Sequence, residues 1–130
     1  MMKSEVETAV EELREAFPDS TVTAVADSEG GAYVTVDPVE LGEQYVQGTS
    51  WIKFHITFQY PYSDVYPHFV VPNLQRKDGA SLGEGLQPSV TFTGDGTTGT
   101  QISRRSNKLN PAIDTAALKL AKVLHWLRSQ

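Results

Sequence analysis

The sequence predicts an α+β domain with an N-terminal helix, an antiparallel four-stranded meander and a C-terminal helix. Three observations lead there. Apolar residues recur with helical spacing at both ends of the chain, they alternate with polar residues over 52–60, and Gly or Pro punctuates the segments between. A run of strands flanked by helices is built by laying the helices on one face of one sheet. The length of 130 residues fits a single domain over 1–130.

The first helix is signalled by Ser4 and Glu7, which fit a capping box. Val6, Ala9, Val10, Leu13 and Phe17 form its apolar stripe, Glu5, Glu7, Glu11, Glu12 and Glu15 lie largely off it, and Pro18-Asp19 stops it. Thr- and Val-rich strands are expected at 21–27 and 32–37, joined by a turn at Ser28-Glu29-Gly30-Gly31. Pro38 should end the second strand, leaving 38–49 as a connection. In the third strand Ile52, Phe54, Ile56, Phe58 and Tyr60 alternate with Lys53, His55, Thr57 and Gln59, which predicts one buried and one wet face. A short fourth strand at 69–71 is closed by Pro72. Residues 73–101 carry six glycines, with 89–93 the better local strand candidate. Gly94-Asp95-Gly96-Thr97-Thr98-Gly99 reads as a loop, because it lacks the Gly-Lys-Ser/Thr ending of a phosphate-binding loop. Asn110 and Pro111 should start the last helix, which runs to about Arg128 with Ala117, Leu118, Leu120, Ala121, Val123, Leu124 and Leu127 apolar. Lys119, Lys122, His125 and Arg128 supply its polar side, and Trp126 fits the core better than an interface.

Composition narrows the chemistry. There is no cysteine, which excludes disulfides, thiolate zinc sites and a cysteine nucleophile. The net charge of −5 argues against nucleic acid as a partner. Residues 1–50 hold 11 acidic and 2 basic side chains, residues 51–130 hold 5 and 9, so a polarised surface that steers a charged protein is one reading and ordinary solvated surface the other. No apolar run is long enough for a membrane span, and the acidic, polar N-terminus does not resemble a signal peptide, so a cytoplasmic location is expected.

His55, His68 and His125 share no metal-ligand spacing, and no metal or cofactor is expected. The Gly-x-Ser-x-Gly elbow of a serine hydrolase is absent, and the acidic helix offers carboxylates that solvation accounts for. Arg104-Arg105 is the densest basic spot. It suits a carboxylate or phosphate ligand, or it tethers the loop before the last helix. The most distinctive segment is Tyr60-Pro61-Tyr62-Ser63-Asp64-Val65-Tyr66-Pro67, whose two Tyr-Pro pairs force the chain out of the third strand through a stiff aromatic corner.

At Tyr60-Pro61 and Tyr66-Pro67 the chain resembles the ubiquitin-conjugating-enzyme superfamily with its non-catalytic variants and RWD domains, most closely the prokaryotic branch. The resemblance spans about residues 4–128 and implies a helix, a four-stranded meander, a proline-rich turn after the third strand and a C-terminal helix. Active members carry a cysteine after the fourth strand, preceded by a His-Pro-Asn turn; here there is no cysteine, and Pro72-Asn73 follows Val71. The resemblance therefore implies a catalytically inert protein-binding module of a bacterial ubiquitin-like conjugation pathway, with an antiphage role suggested by the prokaryotic relatives. Its partner would be a ubiquitin-like protein, an activating enzyme or a conjugating enzyme. The candidate partner-binding residues are Arg104, Arg105, His68 and Asn73. The alternatives are a conjugating enzyme whose cysteine has been replaced, with Ser81, Ser89 and Ser103 as the positions to inspect, and an RWD-like scaffold unrelated to ubiquitin.

Overall fold

A computed structural model describes residues 1–130. Helix α1 spans Ser4–Ala16 and helix α2 Ala116–Arg128. Between them run β1 (Thr21–Ala26), β2 (Ala32–Glu40), β3 (Thr49–Ile56), β4 (His68–Val70), β5 (Leu86–Thr91) and β6 (Thr98–Ile102). All six strands form one antiparallel sheet in the order β1-β2-β3-β4-β6-β5.

The four-stranded meander expected from the sequence is thus corrected to a six-stranded sheet, although helices do stand at both ends. The two extra strands come from a hairpin over 86–102, most of which reads as loop. Its strand β6 is Thr-Gly-Thr-Gln-Ile, without hydrophobic alternation, because the site demands small residues. A Cβ on Gly99 would sit 2.7 Å from the Val70 carbonyl oxygen and 3.3 Å from the Trp51 ring. β5 is an irregular edge strand, with Pro88 and a positive φ at Ser89 inside a register shift between Gln87 and Val90.

Three local expectations also change. Pro38 does not end β2: the Asp37–Pro38 bond is cis, the register shifts between Val36 and Val39, and the strand continues to Glu40. Ser4 and Glu7 form no capping box. Lys3 occupies the N-cap, its carbonyl accepting from the Val6 and Glu7 N–H groups while its ammonium bonds the Phe58 carbonyl at 2.8 Å. Asn110 caps only a separate turn, its Oδ1 accepting from the Ala112 N–H; α2 begins after Thr115, whose hydroxyl accepts from the Leu118 N–H at 3.1 Å.

Alternation along the strands decides which face is dry. Ala32, Val34 and Val36 on β2, Ile52, Phe54 and Ile56 on β3, Val70 on β4 and Ile102 on β6 point to one face and are buried. Val6, Ala9, Val10 and Leu13 of α1 pack there with Ala116, Leu120, Val123, Leu124 and Leu127 of α2. The opposite face carries Tyr33, Lys53, His55 and Phe69, and the tip of the β5–β6 hairpin folds over it. Phe92 packs against Phe69 (5.3 Å between ring centres) and edge-on to Tyr33 (5.9 Å), while Asp95 pairs with Lys53 at 2.9 Å. Phe58, expected on the buried face, lies beyond the end of β3 and is 45% exposed.

Because the Gly99 contact involves fixed backbone, Gly99→Ala should cost about 2 kcal/mol through overpacking. Gly48→Ala, where a Cβ meets nothing within 4 Å, is the matched control and should leave the urea midpoint nearly unchanged.

Candidate functional site

The corner between β3 and β4 organises a charged cluster that joins three distant segments. Both Tyr60–Pro61 and Tyr66–Pro67 are cis, and β3 and β4 lie side by side, with Lys53 opposite Phe69 and Phe54 opposite His68. Three corner side chains reach outward in different directions. The buried Tyr60 hydroxyl accepts from the Ala116 N–H at 3.1 Å and so satisfies a free donor at the start of α2; burial pushes its phenol pKa up. Asp64 turns to the loop after β6. It accepts from the Ser106 N–H (2.7 Å) and hydroxyl (2.8 Å), and from Lys119 of α2 at 3.1 Å to each oxygen. Burial alone would raise the Asp64 pKa, but the Ser106 donors and the Lys119 ammonium hold it below the ordinary carboxylate value. Tyr66 presents its ring to Arg105, whose guanidinium lies 4.6 Å from the ring centre.

The loop pinned by Ser106 and the face of α2 enclose a cleft of about 180 Å³. Arg104, Arg105, Asn107, Lys122 and Trp126 line it, with Asp114 at one side. Arg104 lies 4.7 Å over the Trp126 ring. Lys122 is loosely paired with Asp114 at 3.7 Å, whereas neither arginine is paired with a carboxylate. Stacking on an aromatic face fixes a guanidinium without using up its donors, so both arginines keep N–H groups for a ligand.

The remaining candidates do not join this cleft. His68 is fully buried on the core face, 5.0 Å from the Phe54 ring centre, and neither ring nitrogen has a hydrogen-bond partner. Burial drives its pKa down to about 3, nearby Lys119 adds to this, and Asp64 opposes it. Asn73 lies against the loop after β2, where its carbonyl accepts from the Gln47 side chain at 2.7 Å. Ser81 and Ser89 are exposed, and Ser103 accepts from the Gln101 side chain at 2.9 Å. His55 stands on the outer face, bonded at 2.6 Å to Asp27 and stacked on Tyr33. Burial would raise the Asp27 pKa, but His55 and the Glu29 and Gly31 N–H groups hold it low. That pairing orients an imidazole as a base would be oriented, but no hydroxyl is hydrogen-bonded to it. No group of three or more His, Cys, Asp or Glu side chains could hold a metal ion.

Sequence reasoning singled out Arg104 and Arg105 but missed Asp64, Ser106 and Lys119. The signal for Lys119 is helical spacing: with Ala116, Leu120, Val123 and Leu127 buried, position 119 falls on the same stripe. It is 9% exposed.

No family model, curated protein or solved structure matches this chain. No helix is long and apolar enough to cross a membrane.

Two outcomes test this geometry. Asp64→Ala strands the Lys119 charge and frees Ser106, so it should cost about 3 kcal/mol in urea unfolding. Lys119→Met should cost less, because Asp64 keeps both Ser106 donors and some contact with water. Separately, His68 stays neutral in the fold but is protonated below about pH 6.5 when unfolded, so the unfolded state binds the extra proton. Its contribution is complete above pH 6.5 and is lost as pH falls toward 3. The lowered carboxylates Glu5, Asp27, Asp64, Asp78 and Asp95 act instead below about pH 5. Between pH 6 and 5, His68 should therefore remove about 1.4 kcal/mol per pH unit, and His68→Leu should remove most of that slope in urea titrations.

Proposed function

We propose that this chain is a protein-binding module with no covalent chemistry of its own, and that it docks an acidic segment of a partner in the cleft between the 103–109 loop and α2. One observation carries the reading. In a chain with 16 acidic against 11 basic residues, two adjacent arginines are held by aromatic rings and left without a carboxylate. An arrangement of that kind favours a carboxylate supplied from outside. Leu118, half exposed one helical turn before Lys122, adds an apolar contact for the same segment. The absence of cysteine supports a binding role over thioester transfer.

The choice of partner rests on the resemblance at Tyr60–Pro67 to the non-catalytic members of the ubiquitin-conjugating superfamily. The partner is then a ubiquitin-like protein, an activating enzyme or a conjugating enzyme of a bacterial conjugation pathway. Titration of the chain with the proteins encoded beside it should give saturable, salt-sensitive binding. Arg104→Glu with Arg105→Glu should weaken it about tenfold or more while lowering stability only by the about 1–2 kcal/mol of the two lost aromatic contacts, so that the chain stays folded. Absence of binding to all of them, or binding unaffected by this double substitution, would contradict the proposal.

A further inference from the structure

A second, unrelated surface lies at the opposite edge of the sheet. β1 pairs only with β2. Its sequence, Thr-Val-Thr-Ala-Val-Ala, has no charge and no proline, and its register with β2 runs without a bulge from Thr21↔Asp37 to Ala26↔Ala32. Charges, prolines and bulges are the devices that normally blunt a free edge, and the strand β1 itself carries none of them. The Asp27 N–H donates to the Gly31 carbonyl, which sets the phase of the ladder. Thr21, Thr23 and Val25 then turn their backbone groups to β2, and Val22, Ala24 and Ala26 turn theirs outward. Of these outward groups, only the Val22 carbonyl is engaged, by the Arg14 guanidinium at 3.3 Å.

That same Arg14 is paired with Glu11, which places the Glu11 carboxylate at the open edge. Glu7 and Glu15 lie one turn before and after Glu11 on the same exposed side of α1. Four residues of helix advance about 6 Å and two residues of strand about 6.7 Å, so this acidic row has nearly the repeat of one face of an extended chain.

We infer that β1 is a docking edge for an extended basic segment of a partner protein, which adds to the sheet as a further strand with every second side chain a Lys or Arg facing Glu7, Glu11 and Glu15. Charge selects this occupant over a second copy of the chain. Joining two β1 edges would bring two acidic α1 helices together, whereas a basic strand neutralises the row.

The test uses the full chain and the capped heptapeptide Lys-Thr-Lys-Val-Lys-Thr-Lys, followed by fluorescence anisotropy at low salt. Saturable binding is expected, with amide shifts centred on Val22, Ala24 and Ala26. Methylating alternate backbone nitrogens of the peptide keeps its charge but removes its pairing, and should weaken binding about tenfold. Ala24→Pro, which removes an outward donor, should do the same, as should Glu7→Gln, Glu11→Gln and Glu15→Gln combined. If Ala24→Pro fails to fold, the methylated peptide carries the comparison. The inference is overturned if the heptapeptide does not bind saturably, or if the methylated peptide binds as well as the parent. It is also overturned if the triple substitution leaves binding unchanged, or if sedimentation shows a dimer of the chain occupying this edge.

Discussion

The Asp64–Lys119 ion pair is the contact on which the charged end of the molecule depends. It links three segments far apart in sequence: the corner after β3, the loop after β6 and the first turns of α2. Withdrawing both charges from water is costly, and a bare pair in a low-dielectric site offsets that cost poorly. Here Ser106 supplies two donors to the carboxylate and accepts from the ammonium at 2.8 Å, so the pair sits in a nearly complete hydrogen-bond network. The network has a geometric result that an apolar contact of equal volume would not have. It fixes the backbone of Ser106, and with it the position of the two arginines just before it.

The Tyr-Pro corner therefore acts as a frame. Tyr60 holds the start of α2, Asp64 holds the following loop, and Tyr66 holds the guanidinium of Arg105. His68 begins β4 immediately beyond the corner and is packed as though it were apolar, with its charge suppressed by the surroundings that bury it. The ladder between β3 and β4 is short, and these side-chain anchors supplement it. The charge of the chain is divided across the fold accordingly: an acidic helix beside the open edge of β1, and a cationic cleft beyond β4.

Much of this frame is legible in the sequence. Period-two alternation over 52–56 identifies the buried face of β3, helical spacing identifies the stripes of α1 and α2, and two glycines mark the turn between β1 and β2. The β5–β6 hairpin is not legible in that way. Gly99 and Thr100 sit where the chain crosses β4 at close range, so close approach replaces hydrophobicity as the selecting force there. Pro38 misleads because a register shift absorbs it within the strand. Asn110 misleads because a capping residue describes only its own turn, and Tyr60, 56 positions before Ala116, supplies a bond at the true start of α2. Helical spacing marks position 119 as buried, but that its partner is Asp64 emerges only when the fold brings the two together. Local patterns report which face a residue occupies, but long-range pairing decides which charges meet.

The most direct measurement of this account is native-state hydrogen exchange at the Ser106 amide, in a stretch with no regular secondary structure. If Asp64 holds that N–H as described, the amide exchanges as slowly as those in the first turns of α2 and loses its protection together with them as denaturant is added. Exchange at the rate of an unstructured chain, with α2 still protected, would contradict the account.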